Sequence, residues 1–137
     1  MLLALGLDEC QLWGRDPGRT RGPTPYPRPP MSTDAIAILC TAPDAASARR
    51  VASALVDEKL AACVNLVPGL TSWFRWEGKV QREAEVLLII KTRRTSFDAV
   101  AARVKALHPY TVPELIALPI DAGTPDYLAW LTENTTP

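Results

Sequence analysis

Hydrophobic and polar positions alternate in strand-like and helix-like segments from residue 35 onward. Ala35 to Thr41 is a short apolar run of strand length, and we expect it to be buried on both faces. A helical segment follows, and Asp44 at its start is expected either to cap the free backbone amides or to lie in the first turn, where the helix dipole favours a carboxylate. The apolar residues of this segment share one face of the helix: Ala48, Val51, Ala52, Leu55 and Val56.

A hairpin is predicted next. Its first arm is a strand over Leu60 to Val67 that ends at Pro68-Gly69, after which extended structure resumes over Leu70 to Trp76. Glu77-Gly78 has the composition of a tight hairpin turn, because glycine readily adopts the positive φ that such turns require. The returning strand is predicted over Lys79 to Thr92.

The centre of the returning strand bears on assembly. Val86 to Ile90 is apolar on both faces. Helices on one side of a sheet cover only one of those faces, so we expect another subunit to cover the second. The alternative is a central strand that lies beneath irregular loops.

The remaining segments complete a recognisable order of elements. A helix is predicted over Phe97 to Leu107, with Thr95 or Ser96 as its cap, then a strand over Glu114 to Ile120 and a terminal helix with Pro125 in its first turn. The order βαββαβα predicts an α+β, ferredoxin-like fold in which two helices pack on one face of a four-stranded antiparallel sheet. The last helix is an addition to that plan.

Residues 1–31 differ in composition from the rest. Residues 1–30 hold six of the thirteen prolines and four of the seven glycines, and no hydrophobic period spans them. We therefore predict a disordered or polyproline-like extension over residues 1–31 and a single folded domain over residues 32–137.

Charge, hydropathy and cysteine content argue against several classes of function. The formal net charge is zero and no run of Lys or Arg exceeds two, which argues against a nucleic-acid partner or a basic membrane surface. No apolar run approaches the roughly 20 residues that cross a bilayer. Three cysteines without a C-x-x-C pair are typical of reduced thiols in the cytosol, so we predict a cytoplasmic protein.

Candidate chemistry centres on the single histidine, His108, which lies on a proline-stiffened loop that runs to Glu114. Cys40 ends the first strand, and a thiolate with an imidazole suits copper or zinc. In a ferredoxin-like sheet the first and last strands are antiparallel neighbours, so we expect the end of the first strand, with Cys40, to lie near the start of the last, which His108 precedes. Two ligands do not close a site, so a third would come from Glu114, Tyr110, another subunit or water. Both residues also have ordinary structural explanations, a buried thiol and a turn that ends a helix. No nucleophile elbow or glycine-rich oxyanion loop accompanies either cysteine, so no enzyme is predicted.

Several runs together resemble the divalent-cation tolerance protein family CutA. They are Leu39-Cys-Thr-Ala-Pro-Asp44, Glu58-Lys-Leu-Ala-Ala-Cys-Val-Asn65, Trp76-Glu-Gly78, Lys91-Thr92, His108-Pro-Tyr110, Pro113-Glu114 and Asp126-Tyr-Leu-Ala-Trp130. The resemblance covers about residues 34–131, essentially the whole predicted domain. It implies a cytoplasmic homotrimer with the architecture of PII regulators, a role in tolerance of copper and other divalent metals, and no established enzymatic activity.

The resemblance also implies a copper site. The ligand positions of the family fall on Cys40 and His108, but Leu107 stands where the family has the first histidine of a pair, so weak binding of copper or another divalent metal is expected. Phe74 also departs from the pattern, because the family commonly has a tyrosine there.

Two other functions remain open. One is a PII-like small-molecule sensor with ligand clefts between subunits, and the other is a structural trimer whose partner is another protein. The residues predicted to line the clefts of the sensor are Trp76, Lys91, Tyr110 and Glu114.

Overall fold

The structure, a computed structural model, describes residues 33–136. The predicted extension over residues 1–31 lies outside the described residues and stays a prediction. The elements are β1 (Ala35–Ala42), α1 (Ala45–Asp57), β2 (Cys63–Trp76), β3 (Lys79–Arg93), a short 3₁₀ turn (Arg94–Ser96), α2 (Phe97–Leu107), β4 (Ile116–Pro119) and α3 (Pro125–Glu133). The predicted order βαββαβα is confirmed.

The four strands form one antiparallel sheet in the spatial order β2-β3-β1-β4. The two central strands, β3 and β1, carry the core, and β2 and β4 are the edges of the sheet. This is the strand arrangement expected for two βαβ halves that interlock in a single sheet. In the part of the chain that the structure describes, no helix has the length and apolar character to span a bilayer.

The core lies between one face of the sheet and the helices α1 and α2. Along β1 the even-numbered residues are buried in this core, whereas Ala37, Leu39 and Thr41 on the other face are only half-buried. The prediction that β1 is buried on both faces was therefore wrong for a single chain, because the helices α1 and α2 cover one face. We call the other face, which includes Leu39, Thr41, Leu87 and Ile89, the open face.

The strand β2 is continuous, whereas the sequence predicted an interruption at Pro68-Gly69. Val67 pairs with Leu87 and Leu70 with Glu85, so two residues of β2 oppose Val86 alone. This is a β-bulge, and Gly69 adopts the positive φ of 80° there. Since β2 is an edge strand, the missing N–H of Pro68 is tolerated without ending the strand.

Two predicted strand starts were also wrong, by a few residues. The strand β2 begins at Cys63 rather than Leu60, because the amides of Leu60 and Ala61 both bond back to the Leu55 carbonyl as α1 ends. The strand β4 begins at Ile116 rather than Glu114.

The predicted caps and turn have different outcomes. The Asp44 carboxylate accepts a 2.7 Å hydrogen bond from the Ser47 amide, which confirms it as the cap of α1. Glu77 and Gly78 both have positive φ, of 50° and 78°, as the tight hairpin turn requires. Ser96 makes no capping bond to α2, and its hydroxyl donates to the Thr136 carbonyl at 3.2 Å instead.

The residues after α3 are fastened to the end of the sheet. The Arg93 guanidinium donates to the hydroxyl and the carbonyl oxygen of Thr135, at 3.0 and 2.9 Å. The amide of Thr136 donates to the Lys59 carbonyl at 2.9 Å. Together these bonds hold the C-terminal segment against both β3 and the end of α1.

Replacing Arg93 with methionine is expected to lower the free energy of unfolding by about 1–3 kcal/mol, because two charge-assisted hydrogen bonds are lost. Urea denaturation of the full chain measures the change. Arg49→Met on the exposed side of α1 is the matched control and should change the free energy of unfolding by less than about 0.5 kcal/mol. Equal effects of the two substitutions would show that the fastening of Thr135 does not stabilise the fold.

Candidate functional site

The loop between α2 and β4, residues 108–115, lies beside the end of β1. This follows from the sheet, because β4 pairs with β1 in antiparallel register and Ile116 lies opposite Leu39. The predicted neighbourhood of the end of the first strand and the start of the last is confirmed. The structure thus brings the surroundings of Cys40 and His108 to one corner of the sheet.

His108 is buried in this corner, with 7% of its surface exposed, and both of its ring nitrogens make hydrogen bonds. Its Nδ1 accepts a 3.0 Å hydrogen bond from the Tyr110 amide, and its Nε2 lies 2.7 Å from the Thr41 carbonyl oxygen. Because Nδ1 accepts, the hydrogen bonds assign the ring proton to Nε2, which donates to Thr41. The Nε2 bond therefore holds the loop to β1, and the Nδ1 bond fixes the turn of the loop at Tyr110.

Cys40 is fully buried in the core and faces α1 and α2 with the other even-numbered residues of β1. Its sulfur lies 3.8 Å from the Thr41 carbonyl, a weak hydrogen bond. Burial, followed by the nearby carboxylates of Glu114 and Glu85, raises the pKa of the thiol to about 12. At neutral pH the group is thus a thiol and not the thiolate that binds metals.

In this arrangement the two residues of the predicted copper pair are not ready to bind a metal ion. A soft ion needs a thiolate and an imidazole lone pair, and Cys40 is protonated while both nitrogens of His108 are hydrogen-bonded. Within residues 33–136, no three side chains of His, Cys, Asp or Glu converge on a common metal position. Leu107, which stands where an imidazole was expected, packs against the hydrophobic core.

A buried carboxylate, Glu85, extends the hydrogen-bonded chain from His108. The Tyr110 hydroxyl donates to Glu85 Oε2 at 3.0 Å, and Glu85 is 6% exposed. Burial and then this contact with Glu85 raise the pKa of Tyr110 to about 12, so the phenol stays a neutral donor. A continuous path, Thr41–His108–Tyr110–Glu85, thereby links the end of β1 to β3.

Sequence reasoning missed Glu85. Along the strand Glu85 alternates in step with Gln81 and Glu83, a pattern that by itself is typical of a solvated side chain. One signal was present: Glu85 directly precedes the apolar run that begins at Val86, where a charged residue is already close to the core. Its contact with Tyr110 comes from a loop 25 residues away, which strand alternation does not report.

A groove of about 1040 Å³ runs over the open face beside this chain of hydrogen bonds. Three of the four predicted cleft residues, Trp76, Tyr110 and Glu114, line it. Side chains from β1, β2 and β3 form its floor, and the loop after His108 forms one wall. The remaining carboxylates on its surface are Glu83 and Glu85.

Lys91, the fourth predicted cleft residue, does not line the groove of the single chain. It lies toward the other end of β3, opposite Cys63 in the sheet register, with its Nζ 5.9 Å from the centre of the Tyr127 ring. Partial burial lowers the pKa of Lys91, but Cys63 and Tyr127 outweigh this effect and the net shift is upward. The ammonium is thus held near the C-terminal helix α3.

The family model described as CutA1 divalent ion tolerance protein matches residues 36–134, which span all three helices and all of the sheet except its first residue, Ala35. The chain belongs to the CutA1 family. It is 57% identical over 98 residues to the divalent-cation tolerance protein CutA of Thermus thermophilus, which covers 72% of this chain and 95% of that protein.

Two further relatives support the assignment to the CutA1 family. The chloroplastic protein CutA 1 of Oryza sativa subsp. japonica is 53% identical over 100 residues, which cover 73% of this chain and 56% of that protein. The solved structure of the divalent cation tolerance protein (Cut A1) from Thermus thermophilus superposes with a TM-score of 0.73 at 55% identity. That match covers 74% of this chain and 99% of the solved one.

Proposed function

We propose that this CutA1 family member is a cytoplasmic, non-enzymatic homotrimer that serves in tolerance of copper and other divalent metals. The observation that carries the proposal is the family match over residues 36–134. The cytoplasmic assignment rests on the cysteine usage, and Cys40 and Cys63 are both free thiols in the fold. The non-enzymatic assignment rests on His108, whose two ring nitrogens are both hydrogen-bonded, so that the single histidine has no free nitrogen to activate a nucleophile.

The open face supports assembly of three copies. Leu39, Leu70 and Leu87 are half-buried there, whereas the one helix on this side of the sheet, α3, packs at its other end beside Ala35 and Lys91. The edge strand β4 adds Ile116 and Leu118, which are 50% and 48% exposed. Apolar surface of this kind, next to unpaired strand edges, is typical of a face that packs against another subunit. A closed ring of three copies would cover these faces and edges together.

Light scattering of the full chain at micromolar concentration tests the assembly. We expect a single species of about 45 kDa, three times the 15.0 kDa of the chain. A stable species of the monomer mass would contradict the proposed trimer, because the open face would then remain in water.

Copper binding at Cys40 and His108 remains our proposal for the metal, and the geometry sets its conditions. His108 Nδ1 would have to give up the Tyr110 amide, and Cys40 would have to lose a proton held at a pKa of about 12. Both changes oppose binding, so weak affinity is expected. Leu107, which stands where the family has a histidine, removes one ligand and lowers the affinity further.

A second candidate function, a PII-like small-molecule sensor, is favoured by one observation. The groove on the open face combines a large volume with Trp76, Tyr110 and Glu114, and a buried carboxylate lies in its lining. Ligand sites in proteins are typically concave and largely apolar, with a few placed polar groups. Because a trimer would cover most of the open face, this candidate requires that part of the groove stay open as a cleft between subunits.

A further inference from the structure

We propose that Lys79 of a neighbouring copy of the chain forms an ion pair with Glu83 and Glu85 in the assembled protein. The inference rests on the trimer proposed above and names one contact that holds it together. It treats this part of the open face as a surface between copies, where each copy supplies the cation that the next one needs.

Three carboxylates on the open face have no cation within their own chain. Glu83, Glu85 and Glu114 lie there, and none of them forms an ion pair with a side chain of the described part of the chain. Arg75 lies nearby, but its guanidinium donates to the Gly78 carbonyl of the hairpin turn at 3.2 Å. When another subunit covers this surface the carboxylates lose their water, which is strongly destabilising unless a cation pairs with them.

Glu85 has the strongest need for such a cation. Only 6% of its surface is exposed even in the single chain. Its Oε2 accepts the hydrogen bond of the Tyr110 hydroxyl at 3.0 Å, whereas none of the described residues donates to Oε1. No fully buried side-chain oxygen of the described residues lacks a partner, so Oε1 is accessible from the open face. A second donor, and a charged one above all, is therefore missing from the single chain.

Lys79 has the complementary properties. It lies beside the hairpin turn, opposite Trp76, and alternation along β3 places it on the same face of the sheet as Glu83 and Glu85. Its side chain is exposed, and its ammonium makes no hydrogen bond or ion pair with the described residues. The open face thus carries an unpaired cation at the tip of the hairpin and unpaired carboxylates farther along the same strand.

The other cations of the sheet are already engaged or point away. Lys91 Nζ lies 5.9 Å from the centre of the Tyr127 ring, and Arg93 donates to Thr135. The basic side chains of the helix layer are on the opposite side of the sheet: Arg49, Arg50, Arg103 and Lys105. Among the described residues of the open face, Lys79 is therefore the cation that remains for another copy.

Lys79 cannot serve Glu85 of its own chain. The two residues are six positions apart on β3, so their Cα atoms are about 20 Å apart, too far for the two side chains to meet. The contact must then join two different surfaces, the hairpin tip of one copy and the carboxylates of the next. Contacts between unlike surfaces run head to tail and close into rings such as a trimer, whereas a two-fold dimer pairs a surface with itself.

Analytical ultracentrifugation of the full chain tests the contact through the concentration at which half of the trimer dissociates. Lys79→Glu is expected to raise this concentration at least about tenfold, because like charges would meet at every contact. Glu83→Lys, also at an exposed position, should have the same effect. Arg49→Glu on the helix layer changes the net charge as Lys79→Glu does and should leave assembly unchanged. A Lys79→Glu variant that stays trimeric wherever the wild type does would overturn the inference.

Mixing the two charge-reversal variants shows whether the contact joins different copies. Each variant alone has like charges at every contact of its ring, whereas a mixed ring of three has opposite charges at two contacts. We therefore expect the mixture of Lys79→Glu and Glu83→Lys to form trimers at lower concentration than either variant alone. A mixture that assembles no better than its components would contradict a contact between copies.

Glu85→Gln gives a result whose sign depends on the cation. The substitution removes the charge but keeps an acceptor for the Tyr110 hydroxyl. If Lys79 pairs with Glu85, assembly should weaken by at least about threefold, because the ammonium loses a partner. Tighter assembly would mean that the carboxylate is covered without a cation, and would overturn the inference.

The outcomes separate this inference from the proposed assembly. If the wild-type chain is a stable monomer, the trimer and the ion pair are overturned together. If the wild type is a trimer that neither Lys79→Glu nor Glu83→Lys weakens, the ion pair is overturned and the trimer stands.

Discussion

Replacing Leu87 with glutamate is expected to dissociate the proposed trimer into monomers of 15.0 kDa. Leu87 lies on the open face between Thr41 of β1 and Val67 of β2, and it is half-buried in the single chain. In a monomer a glutamate there reaches water. In the trimer the same carboxylate would be buried without an ion pair, at a cost of several kcal/mol per copy. Light scattering of the variant measures the mass directly.

Val56→Glu is the matched control for this substitution. Val56 is an exposed apolar residue of α1, on the helix layer rather than the open face, so the mass of the trimer should not change. Circular dichroism should show folded protein in both variants. If Leu87→Glu keeps the mass of a trimer, the open face is not the subunit interface. If Val56→Glu has the mass of a monomer, the interface lies on the helices instead.

Replacing His108 with alanine is expected to lower the free energy of unfolding by about 2–5 kcal/mol in metal-free protein. The substitution removes a buried ring and leaves the Tyr110 amide and the Thr41 carbonyl without their partners. The loop would then lose its attachment to β1. The Tyr110 hydroxyl would no longer be held in position to donate to Glu85. Urea denaturation with a chelator present measures the effect without any contribution from bound metal.

Two further variants sharpen this comparison. His108→Asn keeps one donor and one acceptor and should recover part of the lost stability. Lys105→Ala, one turn earlier on the exposed side of α2, should cost less than about 0.5 kcal/mol. A loss below this level in His108→Ala would mean that the imidazole does not hold the loop, and that its hydrogen bonds add nothing to stability.

Much of the fold was predictable because local patterns dictate it. Asp44 caps α1 as its position predicts, and Glu77-Gly78 turns the hairpin because those two residues adopt positive φ. Pro68-Gly69 misled the sequence interpretation, since the same dipeptide ends a strand in one context and forms a bulge in another. Which outcome occurs depends on the partner strand, which continues through Val86. Local sequence contains no information about that partner.

The site was predictable in its location and not in its chemistry. The loop of His108 was identified from its residue types, and the strand order predicted its nearness to Cys40. The use of both imidazole nitrogens depends on the Thr41 carbonyl, 67 residues away in the chain. The raised pKa of Cys40 likewise depends on burial and on Glu114 and Glu85, which approach through tertiary structure. Long-range contacts of this kind leave no periodic signal in the sequence.

Competition titration of Cu(I) against a chromophoric chelator tests the proposed metal function most directly. The account predicts weak binding to the full chain, with an affinity that rises about tenfold per pH unit between about pH 7 and 9, because the Cys40 thiol must release its proton. Cys40→Ala and His108→Asn should abolish this binding, Leu107→His should tighten it, and Cys63→Ala, the matched control, should leave it unchanged. Copper binding that persists in both Cys40→Ala and His108→Asn would contradict the proposed site.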